Sequence, residues 1–455
     1  MSTETQVHAP AEGLHANRGI LRAAASVSAA GILVKVVAMC KEVTVAGIYG
    51  RSDAMDAFLA AALIPGLLVN LISESMNQAL VPTLIRVREL EGRKRAEELL
   101  SSSMMTMVIL LAGASAAMAF TARLCLPLIA SHFPPAKLEL SIRLFYALLP
   151  IVLITGIATN CTAVLNSVNR FALPALAPIA ISIAIILGTV LLAGRFGIWA
   201  MAGSTLAGAL IHAGIVARMM HTHGYRFELR WYGATDAART VGRQYGPVLL
   251  SGVVASGGLL VDQSMAAMLP AGSVSALVYA NRFVSVALTL LAGAISAALV
   301  PYFSRMIAHG DWPGCRETLR TWLWRTAVVS VPIATLLILG ARPLIRIAFQ
   351  HGAFHAQDTA VVAPVLAMYA IQIPFFVTSR VFYRFLLAML RSDVVLYCGV
   401  VNLALDIVLN LWLMRWYGVA GIALATSLWT VSTFFFLGYW TRKLLRRAEQ
   451  MRASA

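Results

Sequence analysis

The sequence predicts an all-α polytopic membrane protein, with about 12 transmembrane helices in two six-helix lobes related as a parallel repeat. Three observations carry that expectation. Charged residues are 12% of the 455 positions, about half the roughly 25% of a soluble globular chain, and the mean hydropathy is +0.79. Apolar runs of about 20 residues, the length that crosses a hydrocarbon core, follow one another almost from end to end, without the strand alternation of a membrane barrel. The chain also repeats itself. "QALVPTLIR" at 78–86 returns as "AALVPYFSR" at 297–305, so that Pro82 and Pro301 are 219 positions apart, as are Arg86 and Arg305.

Twelve spans are expected near 22–50, 54–82, 102–131, 143–166, 172–194, 197–218, 245–269, 273–303, 322–349, 361–390, 394–414 and 418–441. The segments between them alternate in charge. Arg86, Arg88, Arg93, Lys94 and Arg95 follow span two; Arg226, Arg230, Arg239 and Arg243 follow span six; Arg305, Arg316 and Arg320 follow span eight; Arg442, Lys443, Arg446 and Arg447 follow span twelve. The opposite gaps are poor in cations, and the one between spans seven and eight has no Lys or Arg. Because cationic loops stay in the cytoplasm, both termini of a multi-pass membrane protein are expected there. This divides the chain into a tail (1–21), an N-lobe (22–220), a basic linker (221–244), a C-lobe (245–441) and a basic tail (442–455). The polar stretch "MSTETQVHAPAEGLHAN" lacks the early apolar region of a cleavable signal, so span one is expected to be retained.

The net charge of +16 is then a matter of topology, and nucleic acid is not an expected partner. Five Cys, at 40, 125, 161, 315 and 398, form no CxxC and no Cys/His cluster, so they read as apolar filler rather than disulfide or metal ligands. No paired-carboxylate or Ser/His/Asp constellation suggests an enzyme, and no P-loop suggests nucleotide as an energy source. No cofactor is expected; an ion gradient or the membrane potential is left to drive any transport.

Two further correspondences support the repeat. Arg170 and Arg391 are 221 apart, and so are "FGIWAMAGST" from 196 and "YGVAGIALAT" from 417, which share Gly197/Gly418, Ala202/Ala423 and Thr205/Thr426. A period of six spans is even, so both halves insert in the same direction. Such two-lobed bundles move one lobe against the other around a central site.

Ionisable groups inside spans are costly and mark candidate sites. Lys35 and Lys41 in span one are about 120° apart around a helix, so they can border one cavity, and Glu42 can neutralise Lys41. Arg282 in span eight has no local carboxylate; it contacts an anion, or pairs with Asp262 or Glu74. Asp56 and Glu74 of span two, Asp262 of span seven, and Asp406 with Asn402 and Asn410 in span eleven are candidate supporting or coupling residues, or polar contacts between helices. Arg380 and Arg384 share one helical face and either add positive potential or snorkel to the membrane surface. A cavity lined by Lys35, Lys41 and Arg282 would be cationic and would suit a multivalent anion such as a pyrophosphate.

Several stretches resemble the MurJ/MviN family of lipid II flippases, within the multidrug/oligosaccharidyl-lipid/polysaccharide exporter superfamily. These are Gly50, Asp56-Ala57-Phe58, Pro65-Gly66-Leu67-Leu68, Glu74 and Leu80-Val81-Pro82 in the first half, and "AGSVSALVYANRF", "ALVPYFSRMIAHGD" and "IRIAFQHGAFHAQDT" in the second. The likeness runs from about Lys35 to Trp440 and implies a flippase for an undecaprenyl-pyrophosphate-linked glycan. Its expected partners are that substrate, membrane lipids and envelope-synthesis proteins. The chain also departs from the family pattern. Two arginines of the first helix are Lys35 and Lys41 here, an Arg after Pro-x-Leu-Leu is Val69, an Asp of the Tyr-Ala-Asp-Arg motif is Asn281, and an acidic residue is Ser285. Many members have fourteen spans, against the twelve expected here. The departures leave room for another lipid-linked polysaccharide as substrate, or for a transport-dead envelope scaffold. A cation-coupled multidrug exporter is a further alternative, but it would want an acidic cavity.

Overall fold

The computed structural model describes residues 11–167, 172–224, 230–233, 235–296 and 299–453, and among these no strand occurs. Arg170 and Arg226 fall outside the described residues. In the first half α1 (Ala11–Tyr49), α2 (Asp53–Leu90) and α3 (Arg93–Ile129) each cross singly. A single bent crossing follows, made of α4 (Pro135–Leu148) and α5 (Pro150–Ser167), and then α6 (Ala172–Leu176) leading into α7 (Ile179–Phe196), and α8 (Ile198–Thr222). The second half repeats the plan. It comprises α9 (Asp236–Ala266), α10 (Ser273–Ser296) continued by α11 (Leu299–Ala308), α12 (Trp312–Leu339), a short α13 (Ala341–Phe349), α14 (Ala356–Ala370) continued by α15 (Gln372–Ala388), α16 (Ser392–Tyr417) and α17 (Val419–Ala453).

Among the described residues nine helical segments are long and apolar enough to cross a membrane, and the α4–α5 pair, bent by 40°, makes ten. With α1 and α9, which carry Lys35, Lys41, Glu42 and Asp262, the twelve expected crossings are complete. Pro150 supplies the bend in span four, since it has no N–H to give the preceding turn.

The differences from expectation are local. Span nine, expected to 349, stops at Leu339, where Gly340 caps α12. The remainder forms α13, which buries Ala341, Ile345 and Phe349 and keeps Arg342 and Arg346 off that face. The expected basic linker is shortened, because α9 already begins at Asp236, with the Thr235 hydroxyl accepting from the Ala238 N–H. Pro82 does not close span two: α2 continues to Leu90, because a proline inside a membrane helix is tolerated when neighbouring groups satisfy the backbone it frees.

The internal repeat is visible in backbone geometry. Gly197 ends α7 with φ 55° and ψ −133°, and Gly418 ends α16 with φ 53° and ψ −131°. A positive φ is costly for any residue with a Cβ, so both copies need glycine to fold one crossing sharply back onto the next. The two hairpins α7–α8 and α16–α17 that result are the most closely packed helix pairs of their lobes. Between lobes, α9 lies along α2, and α1 lies against α10. The terminal end of the bundle carries the C-terminus of α17 and the turns after α2, α8, α11 and α15; the far end carries the turns after α1, α3, α7, α9, α13 and α16.

Candidate functional site

At the far end the two lobes are fastened by a network of hydrogen bonds. Asp56, in the first turn of α2, is 1% exposed. Its carboxylate accepts from the Gly272 N–H at 2.7 Å and the Ser275 N–H at 2.9 Å, the unpaired amides at the start of α10. A carboxylate is favoured there by both the free amides and the helix dipole. Lys137 of α4 reaches Asp56 at 3.0 Å and Asp53 at 2.7 Å. Around this cap, Arg51 donates to the Gly272 carbonyl at 3.0 Å and meets Asp358 of α14 at 3.3 Å. The Tyr279 hydroxyl donates to the Gly50 carbonyl at 3.0 Å, and the Ala353 N–H to the Gly47 carbonyl at 2.7 Å. Gly352, at φ +61°, lies so close to the Gly47 backbone that a side chain would collide with it. Three separate stretches singled out in the sequence thus meet in one seam: Gly50–Asp56, "AGSVS" and "FHAQDT". No pairing for Lys137, Arg51 or Asp358 is legible in the sequence; a lone Lys just before the expected span four is the available signal.

Further along the α1–α10 contact lies the cationic group. Glu42, with its side chain 4% exposed, receives Lys41 at 2.7 Å and Arg282 at 2.8 Å. The carboxylate partner of Arg282 is therefore Glu42, and neither Asp262 nor Glu74: α1 and α10 are neighbours across the lobes, whereas those two carboxylates lie elsewhere. The Arg282 side chain is still 48% exposed. One carboxylate between two cations leaves this cluster formally positive. Lys35, nearly two turns from Lys41, lines a 640 Å³ cavity between α1, α10 and α12, whose other walls include Ile32, Met39, Phe283, Val286 and Leu336. Among the described residues Lys35 is the single charged group in that lining.

Glu74 is exposed and has no ion pair among the described residues. It belongs to a stripe at intervals of four on α2, with Gly66, Asn70 and Gln78, all exposed. The neighbouring faces are occupied: Leu71 and Ser75 approach Gly252 of α9, and Asn77 donates to Thr159 of α5. The polar contributions of Asn70 and Gln78 were missed because each is unremarkable alone. On α10, Arg282, Ser285 and Thr289 form a comparable line, linked by Ser285 and Thr289 hydroxyls bonding back to the preceding turn.

Within the C-lobe, Asp262 of α9 accepts from Asn410 of α16 at 2.8 Å and from the Thr426 hydroxyl of α17 at 3.1 Å. Asn410 also reaches Asp406 at 3.2 Å. Asp406 Oδ2 and Asn410 Oδ1 are buried without a hydrogen-bond partner, and Asp406 Oδ2 faces Gly258 of α9, where a Cβ would meet it at 3.5 Å. Asn402 bonds instead to the Cys398 sulfur at 3.7 Å. Arg380 is half-buried, with its guanidinium 4.3 Å from the centre of the Phe376 ring and 5.8 Å from that of Tyr383. Its charge is held by ring faces, with no ion pair among the described residues.

The architecture defines the class. The chain superposes on the inward-facing conformation of a multidrug resistance MATE family transporter of the MOP superfamily, with a TM-score of 0.74 at 13% identity, covering 92% of this chain and 96% of that one. It therefore has the fold of that transporter superfamily. Residues 45–453 match the family described as "Lipid II flippase MurJ", and the chain belongs to that family. It is similar to the probable lipid II flippase MurJ of Buchnera aphidicola subsp. Acyrthosiphon pisum, at 25% identity over 94% of this chain and 84% of that protein. Against the lipid II flippase MurJ of Burkholderia cenocepacia the identity is 27%, over 77% of this chain and 70% of that one. A solved structure of "Lipid II flippase MurJ, inward closed conformation" superposes with a TM-score of 0.78 at 23% identity, covering 91% of this chain and 87% of that one.

Proposed function

We propose that the protein translocates a lipid II-like, undecaprenyl-pyrophosphate-linked glycan across the bacterial inner membrane by alternating access. Lys35, Lys41 and Arg282 bind the anionic pyrophosphate. The observation that carries this reading, together with family membership, is the convergence of these cations from both lobes on the α1–α10 contact, beside an apolar cavity. A group that bridges the lobes there is sensitive to their relative position, which is what coupling binding to a lobe movement requires. Lys35, alone among apolar walls, suits the junction between a charged head and a polyprenyl tail. The half-exposed guanidinium of Arg282 keeps donors free for phosphate oxygens.

The terminal end, with its basic loops, faces the cytoplasm by the cation bias of its turns, and the seam around Asp56 closes the opposite, external side. Asp56 thereby supports transport by fastening one end state. The cluster of Asp262, Asp406, Asn410 and Thr426 is the coupling site in this reading. Its donors are all hard oxygens, two of them without partners, which fits a small alkali cation or a proton. Such a cation would supply charge that holds α9, α16 and α17 together. Glu74 and Arg380 tune the potential of the path.

The test is translocation of a lipid-linked precursor in proteoliposomes, with a label accessible on one face only. Lys35→Gln and Arg282→Gln variants that remain folded are expected to lose most transport, and cells relying on them to accumulate precursor on the cytoplasmic face. Wild-type rates in both variants would remove the substrate-binding role of these cations, and absence of translocation by the parent protein itself would favour a scaffold. Selective export of cationic drugs would favour the multidrug alternative.

A further inference from the structure

A second large cavity, of 1270 Å³, lies on the flank of the C-lobe, and among the described residues none of its lining belongs to the N-lobe. It is a groove between α12 and α17 floored by α15, and its two ends differ in chemistry. At the terminal end it is lined by Arg316, Arg320, Arg325, Arg442 and Arg446, with one carboxylate, Glu317. Toward the middle of the bundle it is lined by Val331, Pro374, Phe375, Phe382 and Phe434. Arg316 is engaged by Glu449 at 2.6 Å, and Arg325 lies 5.8 Å from the Trp322 ring centre. Arg320, Arg442 and Arg446 are exposed and have no ion pair among the described residues.

We propose that this groove binds an anionic glycerophospholipid of the leaflet at the terminal end, with its phosphate held by Arg320, Arg442 and Arg446 and its acyl chains laid over Phe375, Phe382 and Phe434. Charge selects the head, since unpaired guanidinium groups bind phosphate oxygens in pairs. Length selects the tail. From Arg320 to Val331 is eleven residues, which at 1.5 Å per residue is about 17 Å, close to half of a hydrocarbon core about 30 Å thick. A ligand spanning that distance with a charged head at one end is a lipid of one leaflet. Nearby, Lys443 lies 4.8 Å from the Trp440 ring centre and 5.7 Å from that of Tyr439, the aromatic and cationic pairing characteristic of the headgroup level. This site is separate from the α1–α10 cation cluster and does not depend on the transported substrate.

The experiment is native mass spectrometry of the full-length protein titrated with phosphatidylglycerol or phosphatidylcholine. Retention of phosphatidylglycerol over phosphatidylcholine is expected, falling by about a hundredfold in R320Q/R442Q/R446Q, at roughly fivefold for each basic residue near the anionic headgroup. R320K/R442K/R446K should restore part of it. Ala327→Trp fills the groove with the arginines intact and should also lose the lipid, whereas R86Q/R88Q, remote from the groove, should keep it. Equal retention of the two lipids, or unchanged phosphatidylglycerol retention in both groove variants, would overturn the proposal. One-for-one displacement of phosphatidylglycerol by undecaprenyl pyrophosphate would assign the groove to the substrate and overturn it too.

Discussion

Replacing Asp56 by Asn should loosen the far-end seam and shift the balance between lobe arrangements. Asp56 accepts from the Gly272 and Ser275 amides and from Lys137 at 2.7, 2.9 and 3.0 Å. Hydrogen bonds to a charged group contribute about 1.5–3 kcal/mol each. Asparagine keeps one carbonyl oxygen, so one backbone bond survives in neutral form, while its amide group turns N–H toward the other backbone N–H. Lys137 is not orphaned, because Asp53 still holds it at 2.7 Å. The loss is therefore one charge-assisted bond and part of a second, about 2–4 kcal/mol. At about 1.4 kcal/mol per factor of ten, separated seams become about 30- to 700-fold more populated. Spin labels at Ala136→Cys and Ala271→Cys, one exposed site per lobe at this end, report it, with the accessible Cys40 and Cys125 replaced by Ser. The distance distribution of Asp56→Asn should gain a longer component, and Asp56→Ala a larger one. Lys137→Met should do less, since both backbone bonds remain. Distributions for folded Asp56→Asn and Asp56→Ala that match the parent would refute the cap as a determinant of lobe position.

Other consequences follow from the same geometry. Glu42→Gln leaves Lys41 and Arg282 facing each other without a shared carboxylate. Melting temperature should fall, and Glu42→Gln combined with Arg282→Gln should cost less than the two single changes together, a coupling of about 0.5–3 kcal/mol in a double-mutant cycle. Gly352→Ala forces a Cβ into the Gly47 backbone at φ +61°, so it should destabilise by about 1–2 kcal/mol from conformation alone and reproduce the label separation of Asp56→Asn. If the C-lobe cluster holds an alkali cation, exchanging choline for sodium should raise the melting temperature of the parent and leave Asp406→Asn unmoved. An equal response in both, or none in the parent, would assign the cluster to helix packing.

Much of the architecture is legible in the sequence, because hydrocarbon leaves the chain few choices. Backbone polar groups must be satisfied within each crossing, so apolar length reads directly as helix. The repeated Gly197 and Gly418 report the same left-handed turn in both lobes, since only glycine adopts it cheaply. Charge within the spans is legible too. Lys35, Lys41, Asp56, Asp262, Arg282 and Asp406 stand out because ionisable groups in spans are expensive, and the structure brings most of them into two lobe-bridging clusters and one intralobe cluster.

Pairing was decided only by the tertiary structure. Local spacing joins Glu42 to Lys41, but Arg282 is 240 positions away in the chain and reaches Glu42 because α1 lies against α10. Nothing in sequence separation favours Glu42 over Glu74 or Asp262 for that role. Asp56 likewise reads as an isolated acidic residue at a helix start; the amides it caps belong to another lobe. Pro82 reads as the end of a span, and α2 passes through it. Helix formation in a membrane is set by the segment's own composition, whereas which charges meet depends on how two lobes pack, and packing is a property of surfaces that no single segment contains.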